Sequence, residues 1–388
     1  MRFRSLLQNL TLAAVSILVL VLVVEVLLRT THAFGAHLSY SIPDSLYAYR
    51  FVPHAEFYYH KENPKPITGR INNFGWRDAD WTLQKTAGAM RVAVIGDSYV
   101  EAFQVELEST FVKIAERDLN AKLFPRTVEV MNFGRSGFTQ TDQLLLMQTD
   151  VLKFSPDIIV LPFLSWNDIA DVRRETTYDL ERPFLVPDGC QLQLDASFRN
   201  VLSFQIKTFV QTLKRRSVFI SFLAERYSLY QIERDIHNRM EDNTERSSKL
   251  SGDLSLCSST KDPELEKSYA LCKRFFGEMV KVCGEASVQP LLLLVCLPNE
   301  AYVTQREQEL VQIDSSFNPF FFEDDLAALS STLQIDYLGL QRVFRDEYRR
   351  NDLPLQWVHL NYEGHRVAGH ALSEKIHSML TRNQPSRP

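Results

Sequence analysis

Five short apolar runs, spaced by longer stretches of helical periodicity, limit this chain more than any other feature. They are VAVI (92–95), VEVMNF (128–133), DIIVLPF (157–163), LLLLVCL (291–297) and the weaker IDYLGL (335–340). Each has strand length and is rich in Val, Ile or Leu rather than alternating with polar residues. A strand buried on both faces reads this way. Helical patterns lie near 106–120, 140–153, 263–284, 341–350 and 362–381. Strands alternating with helices imply a parallel sheet covered on both sides, an α/β class fold. With 388 residues, 45% of them hydrophobic, the chain can bury a large core.

The first thirty residues follow a different rule. Residues 10–28 read LTLAAVSILVLVLVVEVLL, with Glu25 the single charge. At about 1.5 Å per residue this run matches the hydrocarbon thickness of a bilayer. A secretory signal core is usually shorter, about 7–15 residues. Ala33-Phe34-Gly35 is a weak small-residue cleavage site, so a removed signal is the alternative. Arg2 and Arg4 favour a cytoplasmic N-terminus, which places the rest in the periplasm or outside the cell.

The expected organisation is a membrane anchor (1–30), an extended lead-in (31–90), an α/β domain (91–382) and a disordered tail (383–388). Within the domain, 170–262 reads as an insertion that ends in a polar, Ser-rich surface loop. A formal charge of −5 offers no basis for nucleic-acid binding, and Lys214-Arg215-Arg216 reads as a solvated helix face. The five cysteines match no zinc spacing, and neither a metal nor a cofactor is expected. In an exported domain Cys190 with Cys257, or Cys272 with Cys283, could pair, while Cys296 reads as a buried apolar residue.

The first run ends in Gly96-Asp97-Ser98. In an open parallel sheet, ligands gather beyond the carboxyl ends of the strands. A hydroxyl there is exposed beside the N–H groups that open the next helix. That suits a nucleophile; it equally suits a helix cap, by Ser98 or by Asp97. The other strand ends tip the balance. Gly134-Arg135-Ser136-Gly137-Phe138 follows the second run and Ser165-Trp166-Asn167-Asp168 the third. His359 lies in WVHLNYEGH near the C-terminus. A hydroxyl, a Gly-rich turn, a carboxamide and an imidazole are the parts that acyl transfer needs.

In these blocks the sequence resembles the SGNH, or GDSL-type, hydrolases. Gly96-Asp97-Ser98 is similar to the first family block, Asn132 to Gly137 to the second, Trp166-Asn167-Asp168 to the third, and His359-Leu360-Asn361 to the last. The segment Asn73 to Asp78 resembles the lead-in of membrane-anchored bacterial members. The resemblance implies a flavodoxin-like three-layer α/β/α sandwich with a five-stranded parallel sheet. It implies Ser98 as nucleophile and His359 as general base. The backbone N–H groups of Ser98 and Gly137 and the side-chain amide of Asn167 would form the oxyanion hole. The expected substrate is a small acyl ester or acylated glycan of the cell envelope.

The resemblance breaks at the acid. Family members carry an Asp two or three residues before the histidine, where this chain has Trp357 and Gln356. Three outcomes stand open: a Ser-His dyad oriented by Gln356 or a carbonyl, a substitute acid in Asp352, or an impaired site that serves as a glycan- or protein-binding module. Ser165, in place of a common glycine, is a smaller departure. Asp97 and Asp168 read as structural, Arg135 as a surface residue, and Trp166 and Phe138 as either substrate wall or core. His365 and His370 supply no metal pattern.

Overall fold

The computed structural model describes residues 2–31, 33–35, 37–189, 191–242, 250, 252–295 and 300–382. Cys190, Cys296 and the expected tail at 383–388 lie outside the described residues. The chain opens with α1 (Arg2–Thr31). One stretch of it, Leu6–Thr31, is long and apolar enough to cross a membrane; most of its side chains are exposed, with Leu28 buried near its end. Two small antiparallel hairpins follow, β1 (Ser41–Asp44) with β2 (Ala48–Phe51), and β3 (Glu56–Tyr59) with β4 (Ile67–Arg70).

The α/β region then runs β5 (Met90–Gly96), α2 (Ser98–Glu101), α3 (Phe111–Leu123), β6 (Val128–Gly134), α4 (Gln140–Thr149), β7 (Ile158–Phe163) and α5 (Asn167–Asp171). A hairpin, β8 (Phe184–Asp188) with β9 (Gln191–Asp195), leads to α6 (Leu202–Lys214) and α7 (Val218–Asp242). The chain continues through α8 (Pro263–Glu285), β10 (Gln289–Leu294), α9 (Glu300–Ile313), α10 (Phe321–Leu333), β11 (Asp336–Gly339), α11 (Gln341–Asn351) and α12 (Tyr362–Arg382).

The five expected strands form one parallel sheet in the order β11-β10-β7-β5-β6. Counted along the chain this is 2-1-3-4-5, the flavodoxin-like arrangement. Successive side chains face opposite layers. Val92 and Val94 of β5, with Val128, Val130, Ile158 and Val160, pack against α3 and α12 residues such as Phe111, Leu119, Leu372 and Ile376. Ala93 and Ile95, with Met131, Phe133, Leu161 and Phe163, pack against α4 and α8 through Leu146, Met147, Phe275 and Phe276. From β5 the chain adds β6 on one side of the sheet and then β7, β10 and β11 on the other, so the crevice opens where β5 and β7 end. Ser98 and Asn167 both lie there.

Candidate active site

Asp97, not Ser98, caps α2: its Oδ1 accepts the Tyr99 N–H at 3.0 Å. The cap leaves the serine hydroxyl free to meet a group from another element. That group is His359, whose Nε2 lies 2.8 Å from Ser98 Oγ. His359 sits on the connection between α11 and α12, far from β5 in sequence. Two side chains around α2 hold this connection. Tyr99 Oη donates to the Val358 carbonyl at 3.0 Å, and Gln104 Nε2 donates to the Leu360 carbonyl at 2.9 Å. The Tyr99 ring also lies 5.0 Å from the imidazole, which fixes its tilt.

A carboxylate meets the other imidazole nitrogen from a part of the chain to which no sequence motif points. Glu62, on the β3–β4 connection, sets Oε1 2.6 Å from His359 Nδ1 and accepts the His359 backbone N–H on Oε2 at 2.9 Å. Both carboxylate oxygens thus serve one residue, and ring orientation and tautomer follow: Nδ1 carries the hydrogen and Nε2 presents its lone pair to Ser98. Tyr59 Oη donates to Glu62 Oε1 at 3.1 Å, and Asn63 next along ties the connection to the Gln104 carbonyl and Tyr362 Oη, each at 2.9 Å.

The proposed orienters Gln356 and Asp352 are therefore corrected. Gln356 donates its amide to Tyr99 Oη at 3.2 Å and forms a bridge with Leu360. Asp352 is exposed at the left-handed end of α11, φ 49°, with its N–H on the Tyr348 carbonyl. A carboxylate already fills the Nδ1 position, so neither has a vacancy to occupy.

The charges at this site push on one another. Burial alone would lower the His359 pKa; the Glu62 hydrogen bond and charge, with smaller help from Asp97 and Glu101, win and raise it above the ordinary value. Burial would raise the Glu62 carboxyl, but bonding to His359 holds it below the ordinary range. Glu101, fully buried, is pushed up to about 7 by desolvation, against hydrogen bonds from Ser136 and the charges of Arg135 and Arg77. Ser98, His359, Glu62, Glu101 and Ser136 share a cavity of about 410 Å³ whose walls include Tyr40, Tyr49, Tyr59 and Lys61.

The remaining site candidates follow the ends of β6 and β7. Asn167, the first residue of α5, donates Nδ2 to Asp97 Oδ2 at 3.0 Å. A carboxamide nitrogen has two hydrogens, so one stays available while Asp97 settles which way the amide faces. Asp168 accepts from Leu164 N and Gln140 Nε2, both at 2.8 Å, and anchors the start of α5. Gly137 lies in the turn after β6 at φ +78°, a conformation that favours glycine, and Arg182 donates to its carbonyl. At Gly134 an added Cβ would come within 2.2 Å of Glu101 N, so α2 and the end of β6 meet only because that side chain is missing.

Three smaller readings change. Arg135 is not a surface residue. It is 3% exposed and enclosed by Tyr47, Tyr49, Phe51, Trp76 and Phe138, with the Trp76 ring 4.3 Å away. Phe138 belongs to the core, whereas Trp166 is 52% exposed. Cys272 and Cys283 are buried free thiols, which removes that pairing. Ser165 donates to Asp253, from the insertion, at 2.9 Å. His365 is a core residue. It stacks on Phe111 and accepts that residue's N–H, and burial lowers its pKa to about 3. Among the described residues no group of three or more His, Cys, Asp or Glu side chains is arranged to hold a metal.

No protein-family model matches this chain, and no curated protein matches it. Solved structures similar to it include a member of the lipolytic protein G-D-S-L family from Veillonella parvula. It is 12% identical, with a TM-score of 0.37, and the match covers 74% of this chain and 97% of that one. A catalytic mutant of an acetylxylan esterase from Geobacillus stearothermophilus is likewise 12% identical, with a TM-score of 0.38 over 76% of this chain and 96% of that one. An alpha/beta hydrolase from the metagenome of Lake Arreo is 16% identical, with a TM-score of 0.38 over 75% and 96%.

Proposed function

We propose that this chain is a membrane-anchored serine esterase of the SGNH type, acting on ester-linked acyl groups of an envelope carbohydrate or lipid, with acetyl the expected acyl group. One observation carries the reading: a hydroxyl, an imidazole and a carboxylate in hydrogen-bonded series, 2.8 Å and 2.6 Å apart, at the mouth of a cavity. Such a series takes a proton from an alcohol as it attacks a carbonyl.

In the reaction, Ser98 Oγ attacks the ester carbonyl and its proton passes to His359 Nε2. Glu62 holds the imidazole in the receptive tautomer and offsets the positive charge that forms. The oxyanion of the tetrahedral intermediate is received by the N–H groups of Ser98 and Gly137 and the free amide hydrogen of Asn167. His359 returns its proton to the leaving alkoxide, which departs and leaves an acyl ester on Ser98. Water, deprotonated by His359, then reverses the sequence and frees the acid. An acceptor hydroxyl in place of that water would make the same site an O-acyltransferase. Glu62 also removes the reason for reading the site as impaired. Tyr40, Tyr49 and Tyr59 give the cavity aromatic walls that suit a sugar ring.

The test is fluorophosphonate labelling of the full-length protein in detergent, with turnover of an aryl acetate measured in parallel. Label on Ser98, lost in Ser98→Ala and in His359→Ala, is the expected result. A folded protein that shows neither labelling nor turnover would overturn the assignment.

A further inference from the structure

We propose that α6 lies on the outer surface of the bilayer with its apolar face in the lipid, as a second membrane contact beside α1. The proposal rests on the reading of α1 as a membrane anchor. The run from Leu6 to Val24 carries no charge and spans about 28 Å as helix, the thickness of the hydrocarbon layer. Glu25 and Arg29 therefore mark the outer boundary of that layer.

The first turn of α7 docks at that level. Glu25 accepts from Ser217 Oγ at 2.8 Å, Val218 N at 3.0 Å and Phe219 N at 2.8 Å, so a residue of α1 caps α7. Arg29 donates to the Arg216 carbonyl at 3.0 Å. Leu28 and Val24 pack against Val218, Phe219 and Phe222. The C-terminal end of α6 is only three residues from this joint. Its position relative to the membrane follows from contacts made by α1 itself.

Leading back from that joint, α6 has apolar residues where a soluble helix carries polar ones. Leu202 is 69% exposed, Ile206 54% and Phe209 65%, at i, i+4 and i+7 on one face. Phe204 faces the other way and is buried against Phe198. Leu223, Tyr227 and Tyr230 repeat the spacing on α7, and tyrosines favour the headgroup level. Lys214, Arg215 and Arg216 lie where α6 meets α1, matched in charge to anionic headgroups. An amphipathic helix with a basic rim beds its apolar face about 5–10 Å into the interface. A second copy could pair only through this same face, whereas a bilayer, to which α1 already ties this end of the helix, covers the apolar face and meets the basic residues beside it.

The test uses the full-length protein in nanodiscs of equal phosphatidylcholine and phosphatidylglycerol, doped with a lipid bearing a diazirine on its acyl chain. After irradiation, adducts are mapped by mass spectrometry. Lipid adducts on the α1 peptide and on the peptide containing Leu202, Ile206 and Phe209 are expected. In a Leu202→Lys, Ile206→Lys, Phe209→Lys variant the α6 adducts should fall to background while those on α1 persist; these side chains are exposed, so folding should survive, as circular dichroism checks. Adducts on α1 with none on α6 overturn the proposal and leave the anchor standing. Cross-links from α6 to another copy overturn it in favour of self-association. Absence of adducts on α1 removes the anchor, and the proposal with it.

Discussion

The rim of the parallel sheet and the β3–β4 hairpin both reach His359, but they are built differently. Ser98 and Asn167 stand at the ends of β5 and β7, whose ladder pairs Val92 with Ile158 and Val94 with Val160. Their spacing is set by backbone hydrogen bonds inside a core buried on both faces. Glu62 lies on the connection of a two-stranded ladder of four residues a side, too small to be stable alone. Its place depends on side chains. Phe57 and Ile67 pack with Phe51, Ile71 and Phe103, and buried Arg77 donates to the Glu101 and Val105 carbonyls. Ser98 is thus fixed by the fold's main ladder and Glu62 by an attachment to it. The acid should therefore be separable from the rest of the site by mutation.

Glu62→Gln breaks the comparison most sharply. The amide keeps the shape but accepts on one atom only, and kcat/KM should fall about 10⁴-fold with little change in melting temperature. The pH profile supplies a second readout. His359 works as base only when neutral, and Glu62 raises its pKa above about 6.5, the ordinary value. In the wild type, kcat/KM should therefore decline as pH falls through a point above that value. In the variant the main raising influence is gone, with only the smaller ones of Asp97 and Glu101 left, while burial, which lowers the pKa, remains, so the acid limb should move to lower pH. An unmoved limb would show that Glu62 does not hold the imidazole in solution. On the ladder side, Asn167→Ala removes one oxyanion donor and should cost about 10²–10³ in kcat, with the limb left in place.

The same contrast explains what could be read from the sequence. All five parallel strands carry their signal locally, as short runs dominated by apolar residues, and the strand ends carry Ser98, Gly137 and Asn167 as a matter of chain order. Helix α10 also has a local mark, in the helical spacing of Phe322, Leu326, Leu329 and Leu333. Glu62 has none. It sits in the polar stretch HKENPKP, 297 residues from its partner, and only the packing of the hairpin brings the two together. A rule that looks for an acid beside the histidine cannot find it. Arg135 is hidden for a related reason: its burial depends on an aromatic cage drawn from the lead-in and the turn after β6.

The attachment can be loosened without touching the acid. Arg77 sits over the Phe57 and Phe103 rings at 5.6 and 5.4 Å, and burial lowers its pKa to about 10. Arg77→Met keeps bulk but strands two carbonyls, which should cost about 3 kcal/mol in stability by denaturant titration. Glu62 would then be less well placed, and kcat/KM should fall about 10–100-fold. The Asn167 donor, held by Asp97 on the ladder, should be unaffected. A variant that loses stability but no activity would mean the hairpin holds its position without Arg77.

The smallest effect is expected at Gln356, and it separates two accounts of the triad. If the acid of this site were simply missing from the loop before His359, Gln356→Asp would restore it and raise activity. With Glu62 already 2.6 Å from Nδ1, there is nothing to restore. The new carboxylate would instead face Tyr99 Oη, the group that Gln356 contacts at 3.2 Å and that holds the Val358 carbonyl at 3.0 Å. Tyr99 Oη has one hydrogen, and a carboxylate at 356 would compete for it with that carbonyl. The loop would lose part of its brace, so kcat/KM should fall slightly, by less than about threefold, a change of under about 0.7 kcal/mol. The sign matters more than the size: a rise in activity would place the working acid back on the histidine's own loop and reduce Glu62 to a structural anchor.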